Sequence, residues 1–165
     1  MPTIFSHPAV LLLKTFTRRI PKSAVAAGAV ASVLPDADVV TFPLGIPYGS
    51  TFGHRGFTHS IFFAVLVSTI ATLRLRRRKN NVAIFTFIFL CAISHPLLDA
   101  CTNGGMGIAF FSPFSNRRYF FPWRPIEVSP IGALDFGVLV NEVRWVWLPF
   151  GVLGAIGALI RRFAH

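Results

Sequence analysis

The stretch FGHRGFTHSIFFAVLVSTIATL (residues 52–73) joins a polar loop to an uninterrupted apolar segment. Its first part contains two histidines, an arginine and two glycines, whereas residues 61–73 contain no charged side chain. An apolar segment of this kind is typical of a helix that lies in lipid. The sequence therefore predicts a membrane helix with histidines at one of its ends.

The composition of the whole chain indicates an integral membrane protein. Of its 165 residues, 53% are hydrophobic and 13% are charged, and the mean hydropathy is +0.62. A soluble domain usually has about a quarter of charged residues. The net charge of +10 comes from short clusters between apolar segments, which is typical of membrane proteins and not of a nucleic-acid-binding face. We expect one membrane domain over residues 1–165, with no nucleic acid as partner.

Five apolar stretches predict the fold class, an all-α bundle of about five membrane helices. They are residues 4–17, 23–41, 57–73, 82–98 and 143–160. A full span needs about 20 residues, a length that the second and fourth stretches approach. The first is shorter, and Lys14 interrupts it.

Basic residues predict the orientation of these helices. They cluster in turns at residues 18–22, 74–79 and 161–162. Because short cytoplasmic loops carry an excess of Lys and Arg, these three turns are expected inside the cell. The chain then begins outside, and residues 99–142 also lie outside.

Four segments bring a histidine or an aspartate to a similar height above the nearest basic turn. At about 1.5 Å per helical residue, His7 lies roughly 16 Å above its turn, and Asp36, His59 and His95 lie roughly 21–22 Å above theirs. This depth is near the outer edge of a hydrocarbon core about 30 Å thick. A common depth predicts that the polar side chains meet in one site.

The histidines and one aspartate form a set of metal ligands without thiolates. His95 and Asp99 are four residues apart and share a helix face, a spacing that suits one Zn²⁺. His54 can join them from the preceding loop if Thr58 caps the helix. The candidate metal ligands are His7, His54, His59, His95 and Asp99. They suit one or two divalent ions, Zn²⁺ or else Mn²⁺, and two ions can hold the attacking and leaving oxygens of a displacement.

Asp36 and Asp38, in VLPDAD (33–38), are the candidate catalytic residues. A carboxylate in a membrane segment is costly, and by default it indicates function. Residues two apart point to different sides of a helix, so only one should enter the site fully. We expect Asp36 to serve as ligand or general base, with Asp38 second.

Simpler interpretations of these residues remain open. Both aspartates could cap a lipid-facing helix at the water boundary. His95 and Asp99 could form a simple hydrogen-bonded pair, and His7 could be an interfacial histidine near a terminus.

The segment NRRYFFPWR (116–124) carries arginines on the predicted outer side, where short loops are normally poor in them. The candidate substrate-binding residues are Arg55, Arg117, Arg118 and Arg124. A guanidinium group presents a planar fork that matches phosphate oxygens in pairs. Alternatively, the arginines of the loop contact anionic headgroups without specificity.

Four motifs after an N-terminal histidine resemble those of the LexA-regulated, inner-membrane, metal-dependent hydrolase family. They are LPDAD (34–38), GHRGFTHS (53–60), SHPLLDACTNGG (94–105) and FFSPFSNRRYFFP (110–122). That family is similar, more remotely, to zinc-dependent phospholipase C and P1-type nucleases, which hydrolyse phosphoesters with His and Asp ligands. The resemblance implies a multi-pass protein of the inner membrane in which His54, His59, His95 and Asp99 match ligand positions. It also implies that Asp36 or Asp38 acts as ligand or base.

These observations predict a membrane-embedded, metal-dependent hydrolase of a phosphatase or phospholipase kind. Its substrate would be a phosphoester of a lipid or of a lipid-linked molecule, met at the outer side of the membrane. The alternative is a non-catalytic metal-binding membrane protein, such as a transporter or a structural partner. A transporter would need polar residues at more than one depth, whereas the cytoplasmic half is apolar with basic ends.

Overall fold

The computed structural model describes residues 2–17, 19–75, 80–129 and 135–163. Its α-helices are α1 (Lys22–Val33), α2 (Ile61–Leu75), α3 (Asn81–Ala100), α4 (Phe136–Glu142) and α5 (Leu148–Phe163). Three 3₁₀ helices precede or extend them: His7–Phe16, Leu34–Thr41 and Phe57–His59. A π-helical turn, Val143–Trp147, joins α4 to α5.

The structure confirms the all-α fold and the five apolar segments. Three continuous helical segments are long and apolar enough to cross a membrane: Lys22–Thr41, Asn81–Ala100 and Phe136–Phe163. The helix α2 is also apolar but shorter. No strand occurs within the described ranges, where only two isolated β-bridges join loop residues.

Small residues allow α1 and α3 to pack closely. A Cβ atom added to Gly28 of α1 would lie 2.9 Å from Cys91 Sγ and from Phe87 Cε1 of α3. Membrane helices commonly use small residues at such crossings because lipid gives no hydrophobic drive for association. This crossing joins the helix that leads to Asp36 and Asp38 to the helix that carries His95 and Asp99.

The N-terminal 3₁₀ helix packs against α5 and is anchored by a buried glutamate. An added Cβ at Gly157 of α5 would lie 2.7 Å from Phe16. Glu142 is buried, and its carboxylate accepts hydrogen bonds from the Thr3 backbone N–H and from the hydroxyls of Thr3 and Ser6. These contacts fix the segment that begins at His7.

Pro35 marks the point where α1 becomes a 3₁₀ helix. Proline removes a backbone donor and disturbs a continuing α-helix, and the chain tightens into Leu34–Thr41 at this position. Asp36 and Asp38 are both buried as a result. Although both aspartates are buried, they meet different neighbours, and only Asp36 is grouped with His95 and Asp99.

Candidate metal centre

Four potential ligands from three elements converge near the end of α3. Asp36 comes from the 3₁₀ helix after α1, His59 from the short 3₁₀ helix before α2, and His95 and Asp99 from α3. One ligand atom from each of the four residues lies within 4.8 Å of the other three. His95 Nε2 is 3.3 Å from Asp36 Oδ1, and His59 Nε2 is 3.3 Å from Asp99 Oδ2. The structure thus brings together ligands that the sequence placed at one depth.

We call Asp36, His59, His95 and Asp99 the inner cluster. The side-chain atoms with which these residues face one another lack hydrogen-bond partners in the described chain. Within the described residues, His59 Nε2, His95 Nε2 and all four carboxylate oxygens of Asp36 and Asp99 are buried and have no hydrogen-bond partner. Buried polar atoms without partners are rare because each costs free energy. Two nitrogens and two carboxylates suit Zn²⁺ or Mn²⁺, and tetrahedral bonds of about 2.1 Å put ligand atoms about 3.4 Å apart. These residues fit a divalent ion.

The remaining nitrogens of both histidines are already in use. His95 Nδ1 donates to the Ser32 carbonyl over 2.8 Å. His59 Nδ1 lies 3.2 Å from Asp38 Oδ2. With these nitrogens turned to other partners, each Nε2 faces the aspartates of the inner cluster. Metal-binding histidines almost always have such a partner on the second nitrogen.

Asp38 organises a second group of residues around the inner cluster. Its carboxylate accepts hydrogen bonds from the Thr58 hydroxyl at 2.6 Å and from the Arg55 backbone N–H at 3.2 Å. Its Oδ1 lies 2.6 Å from His54 Nδ1. Asp38, His54 and His59 are close enough together to hold an ion, but these hydrogen bonds occupy the oxygens of Asp38. Sequence reasoning did not identify Thr58 as a partner of Asp38.

Thr58 does not cap α2, contrary to the sequence-based expectation. The Phe63 backbone N–H donates to Ser60 Oγ over 3.0 Å, so Ser60 caps the helix. His54 nevertheless lies in the loop before the helix, as expected, because Gly53 and Gly56 pack against backbone carbonyls that a Cβ atom would strike.

His7 stands directly beside the inner cluster. Its ring stacks on that of His95 with 3.7 Å between centroids, and its Nε2 is 3.8 Å from Asp36 Oδ2. Burial, together with the nearby His95, lowers the pKa of His7 to about 3. His7 is therefore neutral near pH 7, and both of its buried nitrogens are without hydrogen-bond partners among the described residues.

The electrostatics of the cluster favour a cation. Burial by itself would lower the pKa of His59, but the nearby carboxylates of Asp36, Asp38 and Asp99 raise it to about 10. Without a metal ion, the three carboxylates hold a proton on this imidazole. A divalent ion would take over the same task of balancing buried negative charge.

Arg55 is the one candidate substrate-binding residue that touches the inner cluster. It is 1% exposed, its Nε is 3.4 Å from Asp99 Oδ2, and its guanidinium donates to the Gly104 carbonyl and the Thr102 hydroxyl. Its φ of 62° lies in the left-handed region, which side chains other than glycine seldom adopt. The loop holds Arg55 in a costly conformation beside a candidate ligand.

The three arginines of residues 116–124 have different surroundings. Arg118 donates to the backbone carbonyls of five residues: Tyr48, Ser50, His54, Arg55 and Gly107. Arg117 lies over the Tyr119 ring and Arg124 over the Phe120 ring, and both are exposed. Arg118 therefore ties together the loops around the site, and the other two face outward.

Comparison with known proteins gives a family and two relatives. Residues 3–164 match the family described as YdjM inner membrane protein. The chain is 40% identical over 160 residues to the inner membrane protein YbcI of Escherichia coli (strain K12), covering 90% of this chain and 92% of YbcI. It is 29% identical over 104 residues to the uncharacterized protein YvsG of Bacillus subtilis (strain 168), covering 59% and 62% of the two chains. No solved structure matches the chain.

Proposed function

The chain belongs to the YdjM inner membrane protein family, and we propose that it is a metal-dependent hydrolase of that membrane. The substrate we propose is a phosphoester of a lipid or of a lipid-linked molecule. One observation carries this proposal: the buried ligand atoms of Asp36, His59, His95 and Asp99 face one another at the ends of apolar helices and have no hydrogen-bond partner in the described residues. Polar clusters in membrane segments are functional by default.

Two further arguments support a phosphoester as substrate. An enzyme acting on a water-soluble molecule would not need its site among membrane helices. The motifs also resemble LexA-regulated metal-dependent hydrolases and, more remotely, phospholipase C and P1-type nucleases, whose substrates are phosphoesters. Control of synthesis by LexA belongs to the same proposal.

Asp36, His59, His95 and Asp99 would hold the ion, with His7 beside them as a further nitrogen donor. When bound, a divalent ion supplies Lewis acidity toward a phosphoryl oxygen and makes water a better nucleophile. Asp36 is the most exposed of the four, at 6%, and its oxygens have no hydrogen-bond partner in the described chain. We assign to Asp36 the role of taking a proton from the attacking water, or of ligand.

The neighbouring residues position this group. Asp38 keeps His59 in one orientation through Nδ1, and it is itself held by Thr58 and the Arg55 backbone. The side chain of Arg55 adds a fixed positive charge next to Asp99. Such a charge can stabilise negative charge that develops on a phosphoryl group.

A second candidate function is a structural metal centre without catalysis. The observation that favours it is that the site is closed to solvent, since His59, His95 and Asp99 are each 0% exposed. Structural zinc sites are closed, whereas catalytic sites keep a position open for water or substrate.

Metal analysis combined with hydrolysis assays tests both candidates. The wild-type protein, His95→Ala and Asp99→Asn would be purified in detergent, with Glu127→Gln as an exposed carboxylate control. We expect stoichiometric zinc or manganese in wild type and control, a marked loss in both site variants, and hydrolysis within a panel of phospholipids and isoprenoid phosphates. Metal without any hydrolysis would favour the structural centre, and wild-type protein that binds no divalent ion would contradict both.

A further inference from the structure

An apolar groove lies close in the chain to the candidate metal centre. It lies between the first turns of α2, at Ile61, Phe62 and Val65, and the loop of residues 110–114, and its volume is about 460 Å³. Ligand pockets typically have about 300–1,000 Å³. Phe114 on its rim is 82% exposed, so the groove opens toward the surroundings of the helices.

The walls of the groove are joined to the metal centre through the backbone. Ile61 follows His59 by two residues, and its N–H donates to the Phe110 carbonyl over 3.0 Å. One residue earlier in the loop, the Ala109 N–H donates to the Arg55 carbonyl over 3.1 Å. The groove therefore begins at the same two segments that carry His59 and Arg55.

Ser112 is the one polar side chain among the residues that line the groove. It is fully buried, and its hydroxyl has no hydrogen-bond partner in the part of the chain that the structure describes. A buried hydroxyl without a partner is unfavourable. An oxygen atom of a bound molecule would remove this cost.

We propose that the groove binds one alkyl chain of the lipid phosphoester, with the Ser112 hydroxyl donating to an oxygen at the head of that chain. This inference rests on the proposed function, and it makes a membrane lipid the substrate class. The lining fits the chain because it is apolar apart from Ser112. Its position beside His59 and Arg55 lets the headgroup of the same molecule lie toward the metal centre.

Photolabelling in lipid nanodiscs tests the groove without requiring turnover. The probes are phosphatidic acid and phosphatidylglycerol with a diazirine in one acyl chain, and diacylglycerol with the same chain serves as the probe without phosphate. After irradiation, labelled residues are mapped by mass spectrometry. For the wild-type protein we expect at least fivefold more label at residues 61–65 and 110–114 from a phosphate-bearing probe than from diacylglycerol.

Two variants and a matched control identify the groove as the binding site. Val65→Trp should reduce this labelling at least fivefold by filling the groove, and Ser112→Ala, which adds no bulk, should reduce it by removing the donor to the oxygen at the head of the chain. Leu90→Trp is the control, because Leu90 is exposed to the same 41% as Val65 but lines a separate apolar groove with Phe16 and Phe87. In Leu90→Trp, labelling of residues 61–65 and 110–114 should equal that of the wild-type protein. Bound metal is measured in every variant to verify that the centre is intact.

The outcomes separate the groove from the proposed hydrolysis. Equal labelling by diacylglycerol and the phosphate-bearing probes would overturn the inference, because the groove would then hold bulk lipid only. Unchanged labelling in both Val65→Trp and Ser112→Ala would overturn it as well. Selective labelling of the groove, together with an absence of hydrolysis in the assay panel, would support the lipid site and contradict the hydrolase.

Discussion

Asp38 and Asp99 differ in what surrounds their carboxylate oxygens. Those of Asp38 accept hydrogen bonds from Thr58 and the Arg55 backbone and contact two imidazole nitrogens. Those of Asp99 are buried and accept no hydrogen bond from the described residues, although Oδ2 lies 3.3 Å from His59 Nε2 and 3.4 Å from Arg55 Nε. A carboxylate whose lone pairs are occupied orients a neighbouring ligand, whereas one with free lone pairs can bind an ion directly.

This difference predicts unequal losses of metal affinity. Asp38→Asn should weaken binding about 10- to 100-fold, the usual effect of removing a partner of a ligand. Asp99→Asn should abolish stoichiometric binding, because it removes a ligand. Competition with chelators of known affinity measures both. Equal losses in the two variants would mean that Asp38 is itself a ligand.

Arg118 and Arg117 provide a second contrast between neighbouring residues. The guanidinium of Arg118 donates to five carbonyl oxygens in two loops, whereas Arg117 lies exposed over Tyr119. Arg118→Ala should lower the free energy of unfolding by about 2 kcal/mol, because several carbonyls lose a charged donor.

Arg117→Ala is the matched control for this measurement. It should stay within about 0.5 kcal/mol of wild type, as is usual for surface substitutions. Its turnover of a phosphorylated lipid should fall with metal content intact if Arg117 binds the substrate. Thermal unfolding in detergent compares the two stabilities, and a larger loss for Arg117→Ala would contradict the assignment of Arg118 as the residue that joins the loops.

At the scale of elements, hydropathy predicted the apolar segments but not their local geometry. The segment His7–Phe16 is a 3₁₀ helix, which rises about 2.0 Å per residue instead of about 1.5 Å. His7 therefore lies about 18 Å above Phe16, where an α-helix would give about 14 Å. The steeper rise explains why the sequence estimate of the height of His7 was lower than those of the other residues. It also explains how His7 reaches the level of His95.

The ligand types could be predicted from sequence because each motif contains them at helical or loop spacing. Their division into an inner cluster and an outer group could not. It depends on a loop in which Arg55 adopts a positive φ and presents its backbone N–H to Asp38, and side-chain spacing carries no information about that turn. Glu142 was missed as well, although a lone carboxylate in an apolar segment is itself a signal.

The crossing of α1 and α3 predicts a sensitive glycine. Gly28→Ala should cost about 1–3 kcal/mol by overpacking against Cys91 and Phe87. It should also weaken metal binding, since α1 leads to Asp36 and α3 carries His95. The control is Gly151→Ala in α5, where an added Cβ meets nothing within 4 Å. Wild-type stability and metal affinity in Gly28→Ala would show that the two helices can separate without cost.

At the scale of the whole molecule, family and helices agree on the inner membrane, while the orientation stays a prediction. Much of the basic turn at residues 74–79 lies outside the described residues, as does Arg18. The arginines of residues 116–124 run against the positive-inside rule, but one of them, Arg118, is engaged by backbone carbonyls. An arginine held by backbone carbonyls stabilises the loop, which gives a structural reason for its presence on the predicted outer side.

Cysteine labelling decides the orientation. In a variant without the native cysteines, Arg19→Cys reports on the first basic turn and Phe114→Cys on the loop beside the metal centre, and both positions are exposed. The positive-inside rule predicts that a membrane-impermeant maleimide labels position 114 in cells with a permeabilised outer membrane and position 19 only after lysis. The reverse pattern would place the candidate metal centre at the cytoplasmic edge. It would also contradict an outer-side substrate, because a lipid headgroup would then have to reach the inner cluster from the cytoplasmic leaflet.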